Sequence, residues 1–435
     1  MYKLIQEQSQ MEGILTELMK YDAWGFDTET TGLSAHHDKV IAVQLGRPEG
    51  GYIFDTRKVN IEPLRVFFED EKIKKIGHNL KFDYKMMKGS FGIDVEGLRC
   101  TYLAEKVLNA GRKYRGFGLE DVVLQELGVQ LDKTAQKSFI GHKGAFTPVQ
   151  IAYMADDVKY LLPLYKEKTK QLMNDGIANV FLIETGAIPA FGDMEYAGMI
   201  LDTVNWKKVM DDNIIKRAEL KVKMDEIASQ YMGFDLFGEA AINYDSPEQV
   251  LKLFQLMRIK VPVMDRDGNK SFIPIQNTNK QSMKGIRHIE IVKLIEAYRS
   301  YGVRINTFGQ PYIDAVDPKT GAIHPDLWQI GTETGRPAAG DSAVNPLNVP
   351  SDNRYRHCFI GGPDEVVESD DYSGCESRIL AHISGDPILQ KIFLDDKDIH
   401  CEVASMMYGV PVTKDNENKK YRKPAKALNF GWSVT

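Results

Sequence analysis

The chain of 435 residues is long enough for two or three domains, and its 43 % of hydrophobic residues exclude a disordered protein. Its apolar runs stay below the roughly 20 residues of a membrane span, and residues 1–7 lack the layout of a signal peptide, which predicts a cytoplasmic protein with no membrane partner. The formal net charge of −6 argues against a nucleic-acid partner, although residues 419–426 place five cations in eight positions. The cysteines show neither metal-ligand spacing nor a paired framework, which predicts reduced, buried thiols at Cys100, Cys358, Cys375 and Cys401.

The first candidate site lies in the run Trp24–Leu33, where Asp27 and Glu29 close an otherwise apolar segment. Residues 20–56 are predicted to form three strands, and residues two apart on a strand point to the same face, so the two carboxylates converge. Hard oxygen ligands in this arrangement favour Mg²⁺ or Mn²⁺. A solvated strand end is the alternative interpretation of the same pair.

Two later segments bring further polar groups to this sheet. Residues 75–83 are typical of a buried strand that runs into a helix, which places Asp83 on the first helical turn. A long helix is predicted from Pro148 to about Asp175, with Tyr153 and Asp157 four apart on one face. Taken singly, Asp83 is a helix-start residue and Tyr153 a half-buried aromatic ring. Other helices are predicted at 61–70, 80–88, 101–109 and 118–127.

Together and in this order, the three segments resemble the 3′–5′ proofreading exonucleases of the DEDD superfamily that carry a tyrosine in the third motif. The resemblance covers about residues 20–170 and implies an α/β RNase H-like exonuclease domain over residues 1–175. It implies two Mg²⁺ ions per site, replaceable by Mn²⁺, with a tyrosine that orients the attacking water; the residues concerned are Asp27, Glu29, Asp83, Asp157 and Tyr153. It also implies that Asn79 binds the substrate strand and that Leu33 lies near the terminal nucleotide.

Beyond Gly176 the sheet signals stop, and the sequence predicts a mainly helical region with a domain boundary near 176. Amphipathic helices are predicted over residues 205–231, 246–257 and 289–300. Further on, the apolar run that ends in Asp371 predicts a strand, followed by a helix that carries Glu376 and Arg378. Asp371 is then either a metal ligand or a cap.

The run from Gly331 to Asp386 closely resembles the palm of family A DNA polymerases, and residues 422–431 resemble their finger helix. The resemblance implies a mainly helical thumb over residues 176–330 and a partial α+β palm and fingers over residues 331–435. It implies that Asp371 is a catalytic metal ligand and Glu376 the steric gate against a ribose 2′ hydroxyl. Arg336 is expected to contact the primer end, and the remaining nucleotide-binding residues are His400, Arg422, Lys426 and Phe430, the last as a stacking platform.

The family's second palm aspartate, in a motif well beyond the finger helix, has no counterpart here, because the chain stops five residues after Phe430. We therefore expect the amino-terminal part of a phage-type replicative polymerase, in the cytoplasm of a bacterium or a phage-infected host, with an intact exonuclease. It is not expected to polymerise alone, and a second polypeptide could supply the rest of the palm. An intron or intein interruption, a split gene and a truncated gene model all fit this ending.

The partners implied by the resemblance are DNA primer-template, single-stranded 3′ ends and, in the completed protein, deoxynucleoside triphosphates. One rival hypothesis is a stand-alone single-strand exonuclease that uses the remaining chain as a DNA clamp. A second is a non-catalytic factor that only binds primer-template, against which the four acidic ligands count. Metal-dependent cleavage of DNA discriminates between these classes.

Overall fold

The computed structural model describes residues 2–111, 116–233, 240–264, 270–340 and 344–433. The chain divides into an amino-terminal unit of residues 1–365 and a carboxy-terminal unit of residues 366–435. Among the described residues, no helix is both long and apolar enough to pass through a membrane.

Six strands form a mixed sheet in the amino-terminal unit: β1 (Tyr2–Ile5), β2 (Ala23–Thr30), β3 (Val40–Arg47), β4 (Gly50–Asp55), β5 (Lys74–Gly77) and β6 (Leu98–Cys100). Their order is β1-β4-β3-β2-β5-β6. The predicted three strands over residues 20–56 are confirmed. Strand β2 pairs antiparallel with β3 and parallel with β5, so both of its edges are hydrogen-bonded. Trp24 and Phe26 of β2 are buried in the core, and the alternation of a strand turns Asp27 and Glu29 to the opposite face.

In the described part of this region, seven helices accompany the sheet: α1 (Ile14–Leu18), α2 (Arg65–Phe68), α3 (Lys81–Phe91), α4 (Thr101–Leu108), α5 (Leu119–Leu127), α6 (Pro148–Lys159) and α7 (Leu161–Asn174). Helix α6 begins with a capping box, in which Thr147 and Gln150 bond each other's backbone, and with Pro148 at its first position. The single helix predicted from Pro148 to about Asp175 is wrong, because the helix breaks at Tyr160. Pro163 has no N–H to donate to the carbonyl of Lys159, and its ring crowds that carbonyl.

Two glycines bring α6 close to the sheet. Gly25 of β2 lies opposite Gly46 of β3, and both face the end of α6. A Cβ atom at Gly25 would lie 2.5 Å from the carbonyl oxygen of Val158, so a larger residue would push the helix away. Gly25 is two residues from Asp27 and four from Glu29, so it shares their face of the strand, and α6 packs on the face of the sheet that carries these carboxylates.

The remainder of the amino-terminal unit is mainly helical: α8 (Ala178–Gly186), α9 (Ile188–Ala197), α10 (Thr203–Met232), α11 (Pro247–Leu256), α12 (Lys280–Lys284), α13 (Glu290–Phe308), α14 (Gln310–Asp314) and α15 (Asn353–Arg356). Helices α10, α11 and α13 confirm the three predicted amphipathic helices. They pack together in one hydrophobic core, to which α11 contributes Val250 and Leu253 and α13 contributes Ile295. Helix α13 runs eight residues beyond the predicted end, to Phe308.

The region beyond Gly176 is mainly helical, as predicted, but it also contains short strands that the sequence did not locate. The described residues of this region include seven strands: β7 (Met199–Leu201), β8 (Lys260–Met264), β9 (Lys270–Pro274), β10 (Ala322–Ile323), β11 (Leu327–Trp328), β12 (Ala338–Ala339) and β13 (Phe359–Ile360). They form a sheet of order β10-β7-β13 and two separate strand pairs. These strands span two to five residues, which is too short for a period-two pattern to stand out in the sequence.

The carboxy-terminal unit contains α16 (Cys375–Ser384), α17 (Pro387–Leu394), α18 (Ile399–Tyr408) and α19 (Arg422–Ser433). The helix predicted after Asp371 is confirmed as α16, and it carries Glu376 and Arg378. The predicted strand that ends in Asp371 is wrong: residues 365–372 are irregular, and Val366 is 89 % exposed. A strand needs hydrogen bonds from a neighbouring strand, and none of the described strands pairs with this segment.

The cysteine prediction holds only in part. All four cysteines are free thiols, and Cys100, Cys358 and Cys401 are buried. Cys375 is exposed, because it occupies the first position of α16 rather than a position within a core.

Candidate active site

Three of the predicted carboxylates converge on one face of the sheet. Asp27 and Glu29 extend from β2 and Asp157 extends from α6, and each offers one oxygen within 4.8 Å of the others. Glu29 and Asp157 are buried, and Asp27 is partly exposed. Three hard oxygen donors at this separation are a ligand set that fits a divalent cation such as Mg²⁺ or Mn²⁺.

Asp83 lies beside this group, on the first turn of α3 as predicted. Its Oδ1 atom accepts a hydrogen bond from the Thr28 hydroxyl at 2.7 Å, and the side chain borders the same cavity. Asp83 is outside the three-oxygen group, but its charge is close enough to raise the pKa of Asp27. The structure therefore brings together all four carboxylates, with Asp83 as the neighbour of the other three.

Burial changes the protonation of these groups. Desolvation raises the pKa of Asp27 and Glu29 well above the ordinary values, and repulsion from the neighbouring carboxylates raises both further. Burial also raises the pKa of Asp157, and it raises that of Asp83 to about 7. Like charges held this close in a largely buried site are unstable without a cation, so the cluster has the electrostatic character of a metal-binding site.

Tyr153 lies one helical turn before Asp157 on α6, as the spacing predicts. Its side chain borders the same cavity. Burial, followed by repulsion from Asp157, raises the pKa of the phenol, so the hydroxyl stays protonated and can donate a hydrogen bond.

Lys133 is a member of the site that the sequence did not reveal. Its Nζ atom donates to Asp157 Oδ1 at 2.6 Å and lies 3.5 Å from the Tyr153 hydroxyl. Its charge lowers the pKa of Asp27, Glu29 and Asp157, opposing the effect of burial. Lys133 stands in an irregular segment between α5 and the turn at Gln136–Phe139, where no periodicity indicates which way a side chain points.

A cavity of about 800 Å³ opens over these groups. Leu33 stands at its wall with 79 % of its surface exposed, and Asn79 lies at the end of β5 with a left-handed backbone (φ 64°) that asparagine tolerates. Both predicted substrate-binding residues therefore border the carboxylate site. Other residues that line the cavity were not indicated by the sequence: Tyr102, Phe117, Lys81, Lys85, Lys137, Asp326, Trp328 and Gln329.

Most of the predicted polymerase residues lie in the carboxy-terminal unit. Asp371 and Glu376 are exposed, and His400 lies on the first turn of α18. Arg422, at the start of α19, forms an ion pair with Asp398 at 2.7 Å. Lys426 follows Arg422 by one turn on the same helix and is exposed.

Two predicted residues fall elsewhere. Arg336 belongs to the amino-terminal unit, where its carbonyl accepts hydrogen bonds from Gly331 and Thr332 and closes the loop between β11 and β12. The side chain of Phe430 lies outside the part of the chain that the structure describes, although its backbone belongs to α19.

Comparison with known proteins gives two family matches. Residues 2–173 match the model of a 3′–5′ exonuclease domain, and residues 213–433 match that of DNA polymerase family A. DNA polymerase I of Pseudomonas aeruginosa is 26 % identical over 458 aligned residues, which cover 99 % of this chain and 48 % of that protein. The thermostable DNA polymerase I of Thermus filiformis is 38 % identical over 219 residues, which cover 49 % of this chain and 25 % of that protein.

Among solved structures, the POL domain of Pol1 from M. smegmatis, in complex with DNA primer-template and dNTP, superposes with a TM-score of 0.75. The alignment covers 99 % of this chain and 70 % of that one at 20 % identity, which shows a shared fold. The chain spans about half the length of the curated relatives that it matches over nearly its full length.

Proposed function

This chain belongs to DNA polymerase family A, and we propose that it removes nucleotides from single-stranded 3′ ends of DNA by metal-dependent hydrolysis. The observation that carries the proposal is the convergence of Asp27, Glu29 and Asp157 within 4.8 Å, beside Asp83 and Tyr153. The match of residues 2–173 to a 3′–5′ exonuclease domain supports it. We propose two Mg²⁺ ions as the natural cofactor, with Mn²⁺ as a substitute.

Divalent ions, when bound, supply a hydroxide near neutral pH and stabilise the leaving 3′ oxygen. The chain's own groups hold and orient the reactants. The four carboxylates would hold the ions, and the protonated Tyr153 hydroxyl would orient the attacking water. Leu33 and the aromatic wall of the cavity would exclude bulk water and contact the terminal base, and Asn79 would bind the strand.

We propose further that residues 176–330 form a thumb and that residues 331–435 form part of a palm and fingers that bind DNA primer-template and nucleotide. The family match over residues 213–433 supports this, as does the DNA- and dNTP-bound protein that shares the fold. Asp371 would be a metal ligand and Glu376 the steric gate. Arg336 would bind the primer end, and the triphosphate would be bound by His400, Arg422, Lys426 and Phe430.

The exonuclease proposal is tested with a 5′-labelled single strand and the purified chain. We expect Mg²⁺-dependent or Mn²⁺-dependent shortening from the 3′ end, its loss on chelation, and its loss in Asp27→Ala. Asp22→Ala is the matched control, because Asp22 is an exposed aspartate that immediately precedes the same strand and does not border the cavity. Shortening by Asp27→Ala at the wild-type rate would overturn the assignment.

A further inference from the structure

A lysine lies within the carboxylate site. The Lys133 ammonium is 2.6 Å from Asp157 Oδ1, 3.5 Å from the Tyr153 hydroxyl and 4.9 Å from the centre of the Tyr153 ring. Only 20 % of its side chain is exposed, and the Asp157 side chain is 6 % exposed. The ion pair is therefore largely shielded from solvent, where such pairs are screened weakly.

The position of this ammonium has an electrostatic reason. Asp27, Glu29 and Asp157 each place one oxygen within 4.8 Å of the others, and Asp83 borders the same cavity, so the four carboxylates repel one another. Lys133 offsets part of this repulsion, because its ammonium lies 2.6 Å from Asp157 within this group. A single positive charge among four carboxylates leaves an excess of negative potential that a divalent cation would still bind.

The same contact conflicts with metal binding. Asp157 Oδ1 accepts a hydrogen bond from the Lys133 ammonium at 2.6 Å, and a divalent cation bound to the same carboxylate would repel this ammonium. Lys133 is also able to move away, because a lysine ammonium sits on a flexible four-carbon stem and the neighbouring Asp132 and Thr134 are exposed in irregular backbone.

We propose that Lys133 is a built-in counter-cation of the carboxylate cluster, which competes with divalent cations for Asp157 and must leave that carboxylate when metal binds. The proposal rests on the metal-dependent function proposed above. In the metal-free protein Lys133 stabilises the carboxylate cluster. When metal binds, Lys133 weakens the apparent affinity of the cluster for the divalent cation. The site thereby remains folded without metal and releases its metal more readily than the carboxylates alone would.

The test is a Mn²⁺ titration of the full chain, followed by the electron paramagnetic resonance signal of free Mn²⁺. Lys133→Met removes the charge and keeps the length of the side chain, and we expect its dissociation constant for the cluster to fall about tenfold. Lys133→Arg keeps the charge and should stay within about twofold of wild type. Lys137→Met is the matched control for charge, because Lys137 borders the same cavity but is exposed.

Asp157→Ala shows how much of the bound Mn²⁺ belongs to the cluster, because Mn²⁺ that wild type binds and this variant does not bind is assigned to the cluster. If Asp157→Ala weakens Mn²⁺ binding and Lys133→Met leaves it unchanged or weaker, the competition proposal is overturned and the exonuclease proposal stands. If Asp157→Ala binds Mn²⁺ like wild type, both are overturned. A fall in the dissociation constant for Lys133→Met, with Lys137→Met unchanged, supports the competition.

A second measurement guards against misfolding of the variant. Without metal, Lys133→Met should unfold at a lower temperature than wild type, and saturating Mn²⁺ should raise its midpoint by more than it raises that of wild type. Equal shifts in the two proteins would count against the proposal. Lys133→Gln carries the same expectation if Lys133→Met does not fold.

Discussion

Asp27 and Asp371 each end an apolar run in the sequence, and each was predicted to lie on a strand, but only Asp27 does so. Strand β2, which carries Asp27, has a hydrogen-bonded neighbour on both sides, and its apolar residues lie in a core. Asp371 lies in an irregular, exposed segment, and none of the described strands pairs with it. The acid at the end of a predicted strand is therefore held in a defined direction at Asp27, where strands on both sides pair with β2.

The two units also differ in how acidic side chains are compensated. Around Asp27, the elements β2, α3 and α6 contribute carboxylates that repel one another and raise one another's pKa. In the carboxy-terminal unit, Asp398 forms an ion pair with Arg422, and the side chains are 18 % and 30 % exposed. The carboxylate cluster favours binding of a cation, whereas the charge of Asp398 is already offset by its own partner.

The largest expected effect is a difference in exonuclease rate between substitutions at Asp157 and at Asp371. Asp157→Asn should lower the rate of 3′-end removal more than about 10³-fold, because it removes the charge of a proposed metal ligand. Asp371→Asn should leave that rate within about twofold, since Asp371 is not part of the carboxylate cluster. Rates on a 5′-labelled single strand measure both. A comparable loss in the two variants would mean that the two acids serve one reaction.

A second contrast concerns buried and exposed charge within the amino-terminal unit. Glu195 is 1 % exposed and accepts from Lys81, from Lys85 and from the backbone N–H of Leu327 at 2.6 Å. Lys81 and Lys85 flank Asp83 on α3, so Glu195 anchors the helix turn that holds this carboxylate. Glu195→Ala should destabilise the fold by about 4 kcal/mol, because it leaves two lysines without their buried partner.

Asp193→Ala is the matched control for Glu195→Ala. Asp193 also pairs with a lysine of α3, Lys88, but its side chain is 48 % exposed, and an exposed pair contributes about 1 kcal/mol or less. Urea unfolding, followed by circular dichroism, compares the two variants. Equal losses of stability would show that burial of Glu195 does not set the strength of its contacts.

A smaller effect is expected at Tyr153. Tyr153→Phe should lower kcat by about 10- to 100-fold, because it removes the orienting hydroxyl but keeps the carboxylate ligands. Mn²⁺ affinity should change little. Tyr165→Phe is the control, since Tyr165 lies on α7 and packs against Phe181 away from the cavity. A loss as large as that of Asp157→Asn would assign the phenol a more direct role than orientation.

The smallest expected effect is a pH dependence of stability at His78. Its imidazole hydrogen-bonds Thr101 Oγ1 at 2.9 Å and the Phe117 carbonyl at 2.8 Å, and burial lowers its pKa from 6.5 to about 4. Between these values the unfolded chain binds more protons, so the contribution of His78 is present above pH 6.5 and is lost as pH falls toward 4. Because part of the imidazole borders the open cavity, we expect about 1.5 kcal/mol rather than the full roughly 3 kcal/mol.

Unfolding free energies of wild type and His78→Asn between about pH 7 and pH 4 measure this contribution, because the difference between them should shrink on acidification. His382→Asn is the control from the other unit, since His382 is exposed on α16. A difference that stays constant with pH for His78→Asn would contradict a neutral, buried imidazole.

The sequence by itself determined the features that follow from backbone periodicity. Asp27 and Glu29 share a strand face, and Tyr153 and Asp157 share a helix face, because the spacing within one element determines the direction of its side chains. The tertiary structure decided which elements meet. Lys133 and Glu195 act on groups 24 and more than 100 residues away, and residues 365–372 are irregular although a strand that ends in Asp371 was predicted. The physical reason is that local spacing is set by the chain's own geometry, whereas a contact or a strand pairing depends on a partner that no local pattern specifies.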